Sequence, residues 1–488
     1  LHDSFSDGTT CQQAGSAGDC GSAAAPTAMA SPSYRSDSVS SLRSEWTHVQ
    51  SPSQASCSSR SRSRSRSGGH KKAAEATECG METVKISADD VAALRMGSNG
   101  KTHEKIARVS EAVLILREKE FVLEIRGTLP QRRRARKYAN MVMRQRIGPH
   151  MMMDDFDDGD LTIVSVPPDV VGYVQGQGGG VLRSIEEEWN TLMFFIDTDL
   201  TRSQRVAIFG NIRGRRGSEL KVLSAIETKM PGYIQTVRDE VFNRDRYKDE
   251  TGTWGTDWMT FKDEGEISYA LGKQGGTRRK LERSSGSIVQ YVGMMAVCSG
   301  SRKERTRAKE YMKWLFQQLE GPVYVYGWEG REDCTVVDIP NDCIGYITGN
   351  RRAALGAMEE EWGSLMFFMT EADDRSRGGR GGGSERLVIF GPDRARRGSE
   401  LKIMSSIETK SPGFFTRGLR EKTCERKGFD TDRMLMRDEE VSYALGKDGA
   451  TRKKLELASG AILQYVGHVA FIAGDLTERR RCREFVQW

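Results

Sequence analysis

The hexapeptide Ser-Tyr-Ala-Leu-Gly-Lys occurs at Ser268–Lys273 and again at Ser442–Lys447, an offset of 442 − 268 = 174 residues. It is one of several such pairs. EEEW at Glu186–Trp189 returns at Glu359–Trp362, LMFF at Leu192–Phe195 returns at Leu365–Phe368, and RRGSELK at Arg215–Lys221 returns at Arg396–Lys402. Repeats this long, kept in this order, mean that one supersecondary unit is used several times. A two-part unit, A then B, occurs twice: A over 160–235 and B over 258–320, then A over 332–415 and B over 432–488. The last copy reads as cut short at its C-terminal end, and a divergent fifth copy lies over 82–147.

Each copy gives the same local reading. LTIVSVPP is β-branched and strand-like. In the next stretch Leu182, Ile185 and Trp189 recur at helical spacing, and Val171 and Val174 mark a shorter helix before the glycine cluster. Asn190 stands where the other copies have Gly286, Gly363 and Gly460. Asn and Gly share tolerance of the left-handed backbone that ends helices, so a helix C-terminus is expected there. Strand-like TLMFFI and RVAIFG follow, and the basic segment GSELKVLSAIETK closes the copy as a helix. The order is β-α-α-β-β-α, an α+β class.

Composition bounds the rest. A chain of 488 residues is too long for one ordinary domain. Lys plus Arg total 74 against 68 Asp plus Glu, a net charge of +6 that permits an anionic partner without requiring one. No apolar run is long enough to cross a bilayer, so no membrane partner is expected. LHDSFSDGTT has neither the basic start nor the apolar centre of a secretory signal. The nine cysteines include no CxxC pair, and the six histidines form no spaced set, so neither a metal nor a cofactor is expected and a reducing compartment is the default. Residues 1–78 are rich in Ser, Ala, Gly and Thr and are expected to be disordered, because they bury too little to offset ordering entropy. Leu1 in place of Met, and Trp488 inside a helical pattern, are expected of a piece of a longer protein.

The tetrads between the first two helices carry the chemistry. They are Gly97-Ser98-Asn99-Gly100, Gly176-Gln177-Gly178-Gly179, Gly272-Lys273-Gln274-Gly275 and Gly446-Lys447-Asp448-Gly449; the second A copy has Gly349-Asn350-Arg351-Arg352 in their place. A glycine has no Cβ, so its amide can approach a phosphate closely, and the helix that follows adds N–H donors and a positive dipole end. A Gly-x-x-Gly turn in this β-α-α-β-β-α order resembles the K-homology (KH) domain of type I, and the resemblance covers most of the chain after residue 80. It implies tandem modules of three antiparallel strands packed on three helices. It also implies that each loop clamps about four nucleotides of single-stranded RNA, with bases in an apolar groove. Val174, Leu182, Ala270 and Leu271 are candidates for that groove or for the core.

The copies differ in charge. Lys273, Arg278, Arg279 and Lys280 make the first B copy the best expected binder. The second B copy offers Lys447, Arg452, Lys453 and Lys454, but Asp448 puts a negative charge in the clamp. The divergent copy has Lys101 and the basic stretch Gln131–Lys137. The second A copy has lost its second glycine; Arg351 and Arg352 remain as possible phosphate contacts, or the copy serves as scaffold. The EEE runs read as solvated helix faces, and DDFDDGD at Asp154–Asp160 as a linker in preference to a cation site. RSRGGRGGG at Arg375–Gly383 reads as a cationic loop for RNA contact or as a tolerated insertion. The tract from Ser58 to His70 resembles the arginine/serine tracts of splicing-type RNA-binding proteins, and serine phosphorylation would reverse its charge. RMGSNGKT at Arg95–Thr102 misses the first glycine of a phosphate loop, and GQGGGV at Gly176–Val181 misses the last position of a dinucleotide fingerprint. No Ser/His/Asp, Cys/His or paired-carboxylate arrangement has a defensible spacing, so no enzyme activity is expected. The expectation is a non-catalytic multi-module binder of single-stranded RNA, with single-stranded DNA as a possible ligand, acting in mRNA processing or post-transcriptional regulation in nucleus or cytoplasm. The competing expectation is a protein-interaction scaffold built of the same folds.

Overall fold

The structure is a computed structural model, and it describes residues 79–95, 102–145, 159–196, 204–242, 253–369 and 384–488. The expected disordered region 1–78, the first tetrad Gly97–Gly100 with Lys101, and the insertion Arg375–Gly383 lie outside the described residues.

Five three-stranded antiparallel sheets form, and each has its third strand between the first and the second. In the third module the strands are Gly255–Thr260, Ile288–Val292 and Met295–Gly300, with helices Glu264–Leu271, Gly276–Ser285 and Arg302–Glu320. The fold is α+β, five tandem modules of type I KH topology. Local chemistry sets the limits of the elements. Asp263 accepts from the Glu266 amide at the start of Glu264–Leu271, and Ser301 with Glu304 forms a capping box at the start of Arg302–Glu320. Asn190, Gly286, Gly363 and Gly460 all end the second helix with φ between 55° and 81°.

The repeated motifs have packing reasons. A Cβ on Gly217 would fall inside the Trp189 ring, and one on Gly398 inside the Trp362 ring, so the glycine of RRGSELK lets the last helix press against the tryptophan of EEEW. The following serines close the same contact: Ser218 Oγ lies 2.8 Å from Thr191 Oγ1, and Ser399 Oγ 2.7 Å from Ser364 Oγ.

Most sheets are buried on both faces. In the strand Ile288–Val292 every residue is buried. Val289 and Tyr291 join the core under the module's own helices, while Ile288 and Val292 join the core of the second module. The covering element is the second module's last helix, Ile212–Lys229. The fifth module repeats this. Leu463 and Tyr465 face its own helices, and Ile462 and Val466 pack with Leu401 of the fourth module's last helix. Each such side chain contributes roughly 1.5–3 kcal/mol of burial before ordering costs. The first module differs, because in the described residues nothing covers its outer face. Val113 stays 59% exposed, and Arg117, Glu124 and Arg126 form a charged ladder there.

Two kinds of junction alternate. In one, a tyrosine of a B copy's last helix donates to an aspartate at the start of the next A copy: Tyr138 to Asp160 at 2.9 Å and Tyr311 to Asp333 at 2.7 Å. A lysine of the B copy's second helix also reaches a buried glutamate, Lys105 to Glu186 and Lys280 to Glu359. In the other kind, the A copy's last helix lies on the next B sheet; Arg213 donates to Gly286 O and Arg394 to Gly460 O. The divergent first copy therefore takes the place of a B copy, giving B-A-B-A-B. The EEE expectation needs correction at its first residue. Glu186 and Glu359 are 5% and 1% exposed and accept from the Met193 and Met366 amides at 2.8 and 2.9 Å.

Candidate nucleic-acid interface

The four described loops share one backbone path. The first residue, Gly176, Gly272, Gly349 or Gly446, has φ between 66° and 71° and ψ between 170° and 177°, a region that is essentially glycine's alone. A Cβ there would also stand 2.8–3.0 Å from the backbone nitrogen of Val181, Thr277, Ala354 or Thr451. The third and fourth positions are both left-handed, at φ 50–55° and 65–79°. A ten-residue helix starts directly after each loop, so its first N–H groups lack intrahelical partners and point outward at the loop.

The fourth position is roomier. A Cβ on Gly275 would meet nothing nearer than 3.5 Å. That is why the fourth module can carry Arg352 there and keep the loop shape, at the modest cost of a left-handed arginine. Loss of the second glycine therefore does not unmake the loop. Arg352 itself is turned inward, donating to Met366 O and to Glu359 Oε1. It is withdrawn from any phosphate, whereas Arg351 is exposed.

Lys273, Gln274, Lys447, Asp448, Gln177 and Gly178 are exposed at the loop tips, as a clamp requires. Arg278 and Arg452 require correction. Each is 6% exposed. Arg278 Nη1 donates to Val289 O at 2.6 Å and to Glu282 at 3.1 Å; Arg452 Nη1 donates to Leu463 O at 3.0 Å and to Glu456 at 2.9 Å. They seal the free edge of the second strand and are not surface cations. Arg279 lies along the loop, donating to Gln274 O at 2.8 Å, and so braces the loop. Lys280 is committed to Glu359, while Lys453 and Lys454 are exposed.

Burial pushes the Glu282 carboxyl above the usual carboxylate range, against the pull of Arg278, and burial does the same to Glu456. Glu186 is likewise raised by burial, against the pull of Lys105. Of the groove candidates, Val174, Leu182 and Ala270 are buried core residues. Leu271, 40% exposed, lines a 620 Å³ cavity beside the third loop together with Ile267, Gln274 and Gly275. What the sequence reading missed is this cavity's other wall, which belongs to the second module: Lys221, Ser224 and Thr228. The identical spacing in ELKVLSAIETK and ELKIMSSIETK was the available signal.

Among the described residues no group of His, Cys, Asp and Glu could hold a metal ion, and no helix is long and apolar enough to cross a membrane. No protein-family model matches the chain, and no curated protein matches it. Solved structures similar to it include Dim2p from Pyrococcus horikoshii OT3, at 18% identity over 32% of this chain and 89% of that one, with a TM-score of 0.19. Dim2p from the same source in complex with a/eIF2alpha and rRNA is similar at 16% identity over 33% and 92%, TM-score 0.19. A structure described as KH domains is similar at 13% identity over 70% and 90%, TM-score 0.12. At these scores the likenesses carry no argument, and the topology rests on the strand order and loop geometry of this chain.

Proposed function

We propose that this chain binds single-stranded RNA without catalysing a reaction on it, and that it acts in mRNA processing or another post-transcriptional step, in the nucleus, the cytoplasm or both. The observation that carries the reading is the shared loop: an obligatory first glycine, two left-handed positions and a helix N-terminus in all four described copies. That geometry presents backbone amides to a phosphate without a side chain in the way. Single-stranded DNA carries the same phosphates and is the second ligand of the clamp. The third module is the strongest site, because Lys273 is exposed at the loop tip beside a cavity. The fifth is weaker, since Asp448 is exposed at its tip. Several modest sites on one chain gain affinity through effective concentration.

The fourth module favours a second role within the same chain. Its Arg352 is spent on its own strand edge, and its Glu359 holds Lys280 of the preceding module, so it serves as a structural spacer. The test is fluorescence anisotropy of the chain with single-stranded RNA, duplex RNA and single-stranded DNA over a salt series. Binding that favours the single strand and weakens steeply with salt is the expected result. Weak binding to all three would replace this reading with a protein scaffold.

A further inference from the structure

We propose that the RNA-reading unit is a pair of modules: the last helix of an A copy forms the second wall of the following B copy's groove, and Lys221, Ser224 and Thr228 contact the strand that the Gly272–Gly275 loop clamps. The inference rests on the RNA reading above and extends it to residues outside the clamping module.

The cavity beside the third loop has Gln274 and Arg279 on one side and Lys221, Ser224 and Thr228 on the other. Between the two walls runs the edge strand Ile288–Val292. Ser224 Oγ donates to Tyr291 O at 3.0 Å, which fixes the A helix against that edge. Glu227 also lines the cavity, but its two oxygens accept from the Gly232 and Ile234 amides at 2.7 and 2.8 Å. Its charge is thus absorbed by the following turn. Lys221 shares Glu188 at 3.1 Å, and Thr228 is exposed at the rim. Gln290 lines the same cavity, is 9% exposed, and its side-chain oxygen has no partner.

The arrangement is built twice. At the next A-to-B junction Lys402, Ser405 and Thr409 occupy the matching positions, Ser405 Oγ donates to Tyr465 O at 2.8 Å, and Glu408 accepts from the Gly413 and Phe415 amides. Gln464, 9% exposed, takes the place of Gln290, but its side-chain oxygen accepts from Arg452 Nη1 at 3.4 Å. Packing alone explains the apolar positions of these helices. Lys221 and Lys402 also meet Glu188 and Glu361, and Ser224 and Ser405 brace the strand edge; Thr228 and Thr409 are the exposed positions, their hydroxyls donating to the carbonyls of Ser224 and Ser405.

The test uses the full chain with both walls altered, Thr228→Glu with Thr409→Glu, and reads affinity for single-stranded RNA by anisotropy. A like charge beside a phosphate is expected to weaken binding about tenfold. The neutral pair Thr228→Gln with Thr409→Gln adds bulk without charge and is expected to weaken binding less than the glutamate pair does, which separates charge from packing. The clamp pair Lys273→Glu with Lys447→Glu is measured in parallel. Weakening by the clamp pair but not by the glutamate wall pair overturns the two-module groove and leaves the RNA reading intact. No weakening by either overturns both. As an independent readout, photocrosslinking of the unaltered chain to 4-thiouridine RNA is expected to label the 212–229 helix as well as the 272–280 loop. Labelling of the loop alone would contradict the proposal.

Discussion

The third and fourth modules carry loops of the same backbone shape and use them differently. In the third, Arg278 stands in the first turn of the helix and seals the second strand by donating to Val289 O, so the loop tip keeps Lys273 facing solvent. In the fourth, Leu355 occupies that helical position and is fully buried. The same sealing bond, to Met366 O, comes instead from Arg352 in the loop itself. The strand edge needs a guanidinium in either case, because an unpaired carbonyl at a buried edge costs about 1–3 kcal/mol. What changes is where the arginine comes from. Loop shape is set by the first glycine, whereas loop chemistry is set by whichever position supplies that arginine.

The comparison breaks most severely at Arg278. Arg278→Met leaves Glu282 buried without its cation and Val289 O without a donor, and is expected to cost the third module about 3–5 kcal/mol. Hydrogen exchange should show the strand Ile288–Val292 losing protection. Unchanged exchange there would mean that the arginine is a surface cation after all. Arg352→Gly restores the tetrad glycine in the fourth module, yet it is expected to destabilise by about 1 kcal/mol. Relief of left-handed strain is outweighed by the unpaired Met366 O and the weakened hold on Glu359. Adding Leu355→Arg to that variant transplants the third module's arrangement and should recover the loss, read as the melting temperature of the chain. A stabilised single variant would sink the sealing argument.

The smallest effect concerns the second module, which has Gly179 and Leu182 at the two arginine positions and holds Glu186 with Lys105 of the first module. Burial raises the Glu186 carboxyl in the folded state, so the folded chain holds that proton more tightly than the unfolded one. Its contribution to stability is therefore fully present below the ordinary carboxylate range and fades as pH rises through the folded value. Glu186→Gln removes that slope while keeping a side-chain acceptor for the Met193 amide. Unfolding midpoints compared between about pH 4 and pH 7 should vary less in the variant than in the parent. Equal slopes would show that Glu186 does not titrate in this window.

Much of the fold was legible because its signals are local. Strand-like LTIVSV, the helical spacing of Leu182, Ile185 and Trp189, and Asn190 or glycine at the helix ends give the element order directly. The second burial of the sheets was written less openly. Strands such as Leu192–Ile196 and Ile288–Val292 are apolar on both faces, which announces two-sided burial but does not say that the covering helix comes from the preceding module. The tetrads were visible as sequence, and the obligatory glycine in each is where the structure has least freedom. Arg278 and Arg279 could not be told apart, because one step along a helix turns a side chain by about 100°. Only packing decides that Arg278 faces the strand edge while Arg279 lies along the loop. The first glutamate of each EEE run was missed for the same reason. Its neighbours are exposed, while it faces the amide of the following strand.

The most direct test of the central claim is the affinity of the chain for single-stranded RNA with and without Lys273→Asp and Gln274→Asp, two exposed loop-tip changes that leave the first and fourth glycines in place. The account predicts an unchanged melting temperature and RNA binding weaker by about tenfold, with a shallower dependence on salt. Unchanged affinity and an unchanged salt slope in a chain that binds RNA would place the RNA elsewhere and contradict the clamp.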